Sequence, residues 1–171
     1  LDVEAAQDLG GEIEIQKVRR AIKAFSRGKT PGMDGLPIEF YASHAGELVP
    51  KLVNVYNEAR LVGTLSMSKA LIISLLKKDR ETSEMAAYCP LSMFSVDYKI
   101  LSKILANRLL PHVTAFIHTD QSGFIPKRNT MNNIHRLIYI MRGEKEGTPS
   151  EAMVMSVDIK KAFDTVGWEY L

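Results

Sequence analysis

Ile15, Val18, Ile22 and Phe25 recur at the three- and four-residue spacing of one helix face, and Gly28 follows as a stop, so a helix is predicted over roughly 12–26. Its polar side carries Lys17, Arg20 and Lys23. A second helical stretch runs from Pro37 to about Leu61. Leu48, Leu52, Val55, Tyr56 and Ala59 form its apolar stripe, with a break near His44-Ala45-Gly46 and an end at Gly63. From Lys69 to Lys78 the period disappears: a compact run of Leu and Ile bounded by charge reads as a mostly buried strand. Val96, Ile100, Leu101, Ile104, Leu105 and Leu109 then predict a helix over about 95–110 that Pro111 interrupts, with another turn at Val113 to Ile117. Met131, Ile134, Leu137, Ile138 and Met141 give a further helix to about Arg142, and residues 143–150 read as a polar linker. The last element, Ala152 to Val157, reads as a buried strand that ends on the carboxylate of Asp158.

The loops between these elements are distinctive. Lys29-Thr30-Pro31-Gly32-Met33-Asp34-Gly35 holds a proline and two glycines in seven residues, which demands turn geometry. Asp120 to Arg128 is loop with a short extended piece. The 171 residues are 46% hydrophobic and 25% charged, the composition of a globular chain, which excludes disorder, collagen and disulfide scaffolds. That length suits one domain or part of one. Cys89 is the single cysteine and cannot form an internal disulfide, which favours a reducing, intracellular compartment. No stretch approaches the roughly 18 apolar residues of a membrane span, and no signal peptide opens the chain. It begins with Leu1 rather than methionine, so a fragment is expected. The net charge of +2 hides an asymmetry: residues 1–16 hold five acids and no base, and the remainder 22 bases against 15 acids. That is a modest pointer to a polyanionic partner, against the plainer reading of a solvated surface.

Several chemistries fall away on inspection. Gly28-Lys29-Thr30 resembles the end of a phosphate-binding loop, but that motif needs a glycine where Lys23 stands. No serine sits in a nucleophile elbow, Cys89 has no evident base partner, and His44, His112, His118 and His135 lack metal-ligand spacing. A carboxylate at a strand end, as at Asp158, can grip a divalent ion, although such a residue is more commonly a turn or cap.

The segment Ser156-Val157-Asp158-Ile159-Lys160-Lys161-Ala162-Phe163-Asp164 closely resembles the first carboxylate motif of reverse transcriptases from LINE-type, non-LTR retrotransposons. Lys29 to Gly35 resembles their Pro-Gly-x-Asp-Gly loop, and Ile72 to Lys78 their first fingers strand. Tyr88-Cys89-Pro90-Leu91-Ser92 is similar to their Tyr-Arg-Pro-Ile-Ser segment, and Asp97 to Leu109 to the helix that follows. Asp120-Gln121-Ser122-Gly123-Phe124-Ile125 with Arg128 is similar to their Asp-Gln-x-Gly-Phe-Ile block. The blocks stand in family order over roughly residues 15–171, which makes chance agreement untenable.

The resemblance implies an α+β, helix-rich, right-hand polymerase. Residues 1–28 would be its N-terminal extension helix, 29–150 its fingers region and 151–171 the start of its palm. It implies RNA-directed DNA synthesis on an RNA template, with a DNA primer and deoxynucleoside triphosphates, by two-metal nucleotidyl transfer with Mg2+. Asp158 would be a catalytic carboxylate and metal ligand. Phe163 would exclude a ribose 2′-hydroxyl, and Ile159, Lys77 and Lys78 would lie at the nucleotide. Gln121, Lys127 and Arg128 would contact nucleic acid, with Lys99 and Lys103 adding phosphate contacts. It also implies a nuclear location or a cytoplasmic ribonucleoprotein.

Two departures qualify it. Cys89 stands where the family has an arginine, and a thiol offers neither the charge nor the fork that grips phosphate, so weak nucleotide binding and a decayed copy are expected. No Asp-Asp pair follows Asp158, so the 171 residues alone are expected to be inactive, with an apolar strand edge left exposed at 152–158. The alternative is a decayed or repurposed RNA-binding module without polymerase activity.

Overall fold

The computed structural model describes residues 9–65, 69–78, 81–142, 153–159, 162 and 165–170. They fall into two compact units, one up to Ile117 and one from His118 onward.

The first unit is built on four helices: α1 (Ile15–Lys23), α2 (Ile38–Ser43), α3 (Ala45–Val62) and α4 (Val96–Phe116). Their apolar stripes supply one core: Val18, Ala21 and Ile22 from α1, Ile38 and Tyr41 from α2, Val49, Leu52 and Tyr56 from α3, and Val96, Ile100 and Ile104 from α4, closed by Ile13. The expected break falls at His44, which ends α2 and starts α3. Gly63 ends α3 with φ +74°, a left-handed turn that a glycine adopts without steric cost, and its N–H bonds back to the Ala59 carbonyl at 2.8 Å. The Tyr56 hydroxyl donates to the Asp97 carbonyl at 2.7 Å, tying α3 to the first turn of α4. Burial, with the negative charge of Asp97 next, pushes the Tyr56 phenol above its ordinary range. The same causes, with Asp34 adding to them, push Tyr41 up to about 12.

Two expectations need correction here. Pro111 does not interrupt α4, which continues to Phe116: proline removes one N–H, and the helical bonding resumes beyond it, as Ile117 N–H to Val113 C=O at 3.1 Å shows. The helix that Leu105 and Leu109 help to mark is present, with both side chains exposed, and its buried face follows the four-residue spacing of Val96, Ile100 and Ile104. The apolar run near 70 is a strand, β1 (Ala70–Leu76), but it is not buried: it pairs antiparallel with β2 (Tyr88–Phe94) in a two-stranded sheet, and Leu71, Ile72, Leu75 and Leu76 stay exposed. A single hairpin ladder satisfies backbone groups without covering a face.

The second unit contains α5 (Thr130–Met141), whose N-cap Asn129 accepts the Met131 N–H at 2.9 Å. None of the α5 side chains is buried, and Ile125 is the buried hydrophobic of this unit among the described residues. Residues 153–159 are not the buried strand that their apolar pattern predicts. They carry no ladder bonds, and Met153, Val154, Met155, Val157 and Ile159 are exposed, since no described strand pairs with them. The polar linker 143–150 lies outside the described residues. Among the described residues, no helix is long and apolar enough to cross a membrane.

Candidate nucleotide and nucleic-acid site

In the first unit the glycine-rich loop is seated on the junction between β2 and α4. Gly32 lies so close to it that an added Cβ would stand 2.6 Å from Ser95 Cα and 2.7 Å from the Phe94 carbonyl oxygen. Gly35 (φ +69°) returns its N–H to the Gly32 carbonyl at 3.1 Å, and the Asp34 carboxylate accepts the Leu36 N–H at 3.2 Å, an Asx turn. Just before the loop, the Glu39 carboxylate accepts the Gly28 N–H at 2.6 Å. That bond, with the Glu39 backbone N–H and then Arg27 as lesser contributors, holds its carboxyl below the ordinary carboxylate range.

The hairpin beside this loop fixes the register of the nucleotide-site candidates. Leu75 stands opposite Cys89 and Leu76 opposite Tyr88. Lys77 extends the ladder through its backbone N–H to the Ala87 carbonyl at 2.8 Å, and Lys78 follows in the turn; both side chains are exposed. Cys89 is exposed on the face shared with Leu71, Ile73, Leu91 and Met93, so its thiol sits in an apolar row.

In the second unit the loop 118–128 is held by its own polar groups. Arg128 Nη1 donates to the carbonyls of His118 and, at 2.8 Å, Gln121. Asn133 Nδ2 donates to the Asp120 carbonyl at 2.7 Å and to Ser122 Oγ at 3.1 Å, and Arg136 pairs with the Asp120 carboxylate. Two non-glycine residues take left-handed backbone angles in this loop, Phe124 (φ 61°) and Lys127 (φ 65°), and the Phe124 ring is fully exposed. Gln121 and Arg128 therefore meet through the loop backbone. Asp158 and Ile159 are exposed in the segment 153–159, which has no regular secondary structure, and Phe163 lies outside the described residues. Among the described residues no cluster of three or more His, Cys, Asp or Glu forms.

Sequence reasoning missed one constellation. Arg108, four residues beyond Ile104 on the buried face of α4, is itself buried and donates to the carbonyls of Leu9, Gly11 and Glu12. Asn57 holds Ile13 through both amide atoms, at 2.8 and 3.0 Å, and Arg60 donates to the Gly10 carbonyl at 3.2 Å. The signal was available: a charged residue in register with a core stripe needs buried partners.

Comparison with known proteins decides the family. The family described as reverse transcriptase (RNA-dependent DNA polymerase) matches residues 75–171, more than half of the chain. The chain belongs to the reverse transcriptase family. It is similar to the transposon TX1 uncharacterized 149 kDa protein of Xenopus laevis, with 32% identity over 160 residues, 93% of this chain and 12% of that protein. It is also similar to the RNA-directed DNA polymerase from mobile element jockey of Drosophila funebris, 26% identical over 158 residues, 90% of this chain and 17% of that one. The probable RNA-directed DNA polymerase from transposon BS of Drosophila melanogaster is 26% identical over 161 residues, again 90% and 17%. The reverse transcriptase chain thus spans between 12% and 17% of the length of these relatives.

Proposed function

We propose that this reverse transcriptase chain is the N-terminal part of the RNA-directed DNA polymerase of a non-LTR retrotransposon, acting within a longer protein on an RNA template, a DNA primer and deoxynucleoside triphosphates. The observation that carries this reading is the family match across 75–171, which includes Lys77, Lys78, Gln121, Arg128 and Asp158. The mixed helical and antiparallel structure is compatible with an α+β right-hand polymerase. In it, residues 1–28 would be the N-terminal extension, 29–150 the fingers and 151–171 the beginning of the palm.

In this reading Asp158 is one carboxylate of the reaction centre, and any magnesium ion needs further ligands from the rest of the polymerase. Lys77 and Lys78, exposed at the end of β1, offer flexible ammonium groups to a triphosphate. The ring of Phe163 guards against a ribose 2′-hydroxyl. Loop 118–128 presents Lys127 toward nucleic-acid backbone, with Arg128 and Gln121 shaping the loop from within. The natural place of work is a nuclear or ribonucleoprotein setting.

Primer extension by the longer polymerase that contains this segment tests the reading. Asp158→Asn abolishes extension, Phe163→Val admits ribonucleotides, and Cys89→Arg lowers the KM for deoxynucleotides. Extension unaffected by Asp158→Asn sinks the assignment.

A further inference from the structure

Between α1 and α4 the first unit carries a cavity of about 220 Å3 lined by Lys17, Arg20, Ile104, Asn107 and Arg108. The two helices run antiparallel, since the segment that follows α1, from Phe25 to Thr30, meets Val96 and Lys99 at the start of α4 instead. Among the described residues, three cations, one carboxamide and one apolar side chain line the cavity, and no carboxylate does. The local sequence agrees: from Ile15 to Met33 there are six bases and no acid. Lys17 has an exposed partner, Glu14, at 3.8 Å, a separation at which solvent screening leaves little attraction. Arg20 and Arg108 enter no ion pair among the described residues.

Arg108 makes the site more than a basic surface. Arg108 is 6% exposed, and its Nη atoms are engaged by the backbone carbonyls of residues 9, 11 and 12. Its Nε is buried with no hydrogen-bond partner among the described residues. Among the described residues this buried cation is offset only by carbonyl dipoles, and an unfilled donor there is costly. The volume, against roughly 30 Å3 per water in the liquid, accommodates a tetrahedral oxyanion with several waters.

We propose that this α1–α4 cavity is a phosphate-binding site, with Lys17 and Arg20 as the outer contacts and Arg108 as the fixed inner charge. The ligand chemistry is a phosphate group, carried by a nucleic-acid backbone or free in solution. The site goes beyond the polymerase reading and does not depend on it, because it uses neither Asp158 nor the hairpin.

The test uses the intact 171-residue chain labelled with 15N-arginine. Titration with inorganic phosphate and, separately, with a single-stranded RNA oligomer reads the Nε–Hε signal of Arg108, and fluorescence anisotropy reads oligomer affinity against salt. The oligomer shifts the signal. Phosphate shifting it as well means that free phosphate also fills the site, and an oligomer shift alone means that backbone phosphate is the ligand. Lys17→Gln combined with Arg20→Gln weakens oligomer binding about tenfold at low salt and lowers the log–log salt slope by about 1.4, two contacts at roughly 0.7 each. Lys51→Gln, on the exposed side of α3, leaves binding unchanged. The proposal is overturned if neither ligand moves the Arg108 signal, if the double variant binds like the parent, or if Lys51→Gln weakens binding equally. The spectra of the unsubstituted chain decide the matter even if a variant folds poorly.

Discussion

The units on either side of residue 117 solve the problem of order in opposite ways. Residues 9–117 bury a contiguous apolar core drawn from four helices and use polar side chains to pin the segment that precedes it. Residues 118–170 show a single buried hydrophobic among those described, Ile125, and depend on side-chain bonds to the backbone of one loop. Burial of apolar area is cooperative and scales with the number of partners, whereas exposed polar bonds contribute little each. Global stability should therefore reside in the first unit and local shape in the second. The proposed site residues divide along the same line: Lys77 and Lys78 follow β1 in the first unit, and Asp158 lies in an exposed segment of the second that carries no ladder.

The comparison breaks most readily at Arg108. Arg108→Met keeps most of the side-chain volume and removes the donors, leaving the carbonyls of Leu9, Gly11 and Glu12 without them; it should cost about 3 kcal/mol in urea unfolding. An unchanged midpoint would mean that water satisfies those carbonyls as well as the guanidinium does. Next comes Gly32→Ala, where the new Cβ meets backbone rather than a movable side chain, so the loop or the start of α4 must shift; a loss of about 2 kcal/mol is expected by thermal melting. Gly10→Ala, with open space around its Cβ, is the matched control.

How far these features could be read in advance depended on whether the information was local. The break at His44, the stop at Gly63 and the turn around Gly35 follow from residues within one helical turn, and the sequence shows them directly. The reverse transcriptase family was legible for a related reason, since its blocks are short and ordered. β2 was not, because Pro90 disguises a strand that is tolerated in a two-stranded ladder. The fate of 153–158 was also hidden: a short apolar run states a preference for pairing and says nothing of where the partner strand is. Arg108 lay between these cases, legible in register with Val96, Ile100 and Ile104 but read only as part of a helix.

A smaller effect should separate the units by pH. Tyr41, held up at about 12 chiefly by burial, stays neutral in the folded state while its unfolded counterpart ionises near 10. Its contribution is therefore fully present below about pH 10 and is lost as pH rises from there toward 12, with Tyr56 adding in the same direction. At pH 11, Tyr41→Phe should recover about 1 kcal/mol of the alkaline loss relative to pH 8, read from urea midpoints. Loop 118–128 contains no tyrosine, so its hydrogen-exchange protection should not follow this titration.

The smallest effect tests the second unit by itself. Arg128→Ala removes the Nη1 bonds to the His118 and Gln121 carbonyls, and each such bond is worth about 1 kcal/mol or less in contact with water. The melt of the helical core should stay within about 0.5 kcal/mol of the parent, because nothing in that core is touched. Amide exchange across His118 to Arg128 should nevertheless accelerate several-fold, since the left-handed angles at Phe124 and Lys127 need the surrounding bonds to hold them. If the core melted earlier as well, the two units would share a cooperative transition. If the loop amides exchanged no faster, the bonds from Asn133 and Arg136 to Asp120 would suffice to hold it.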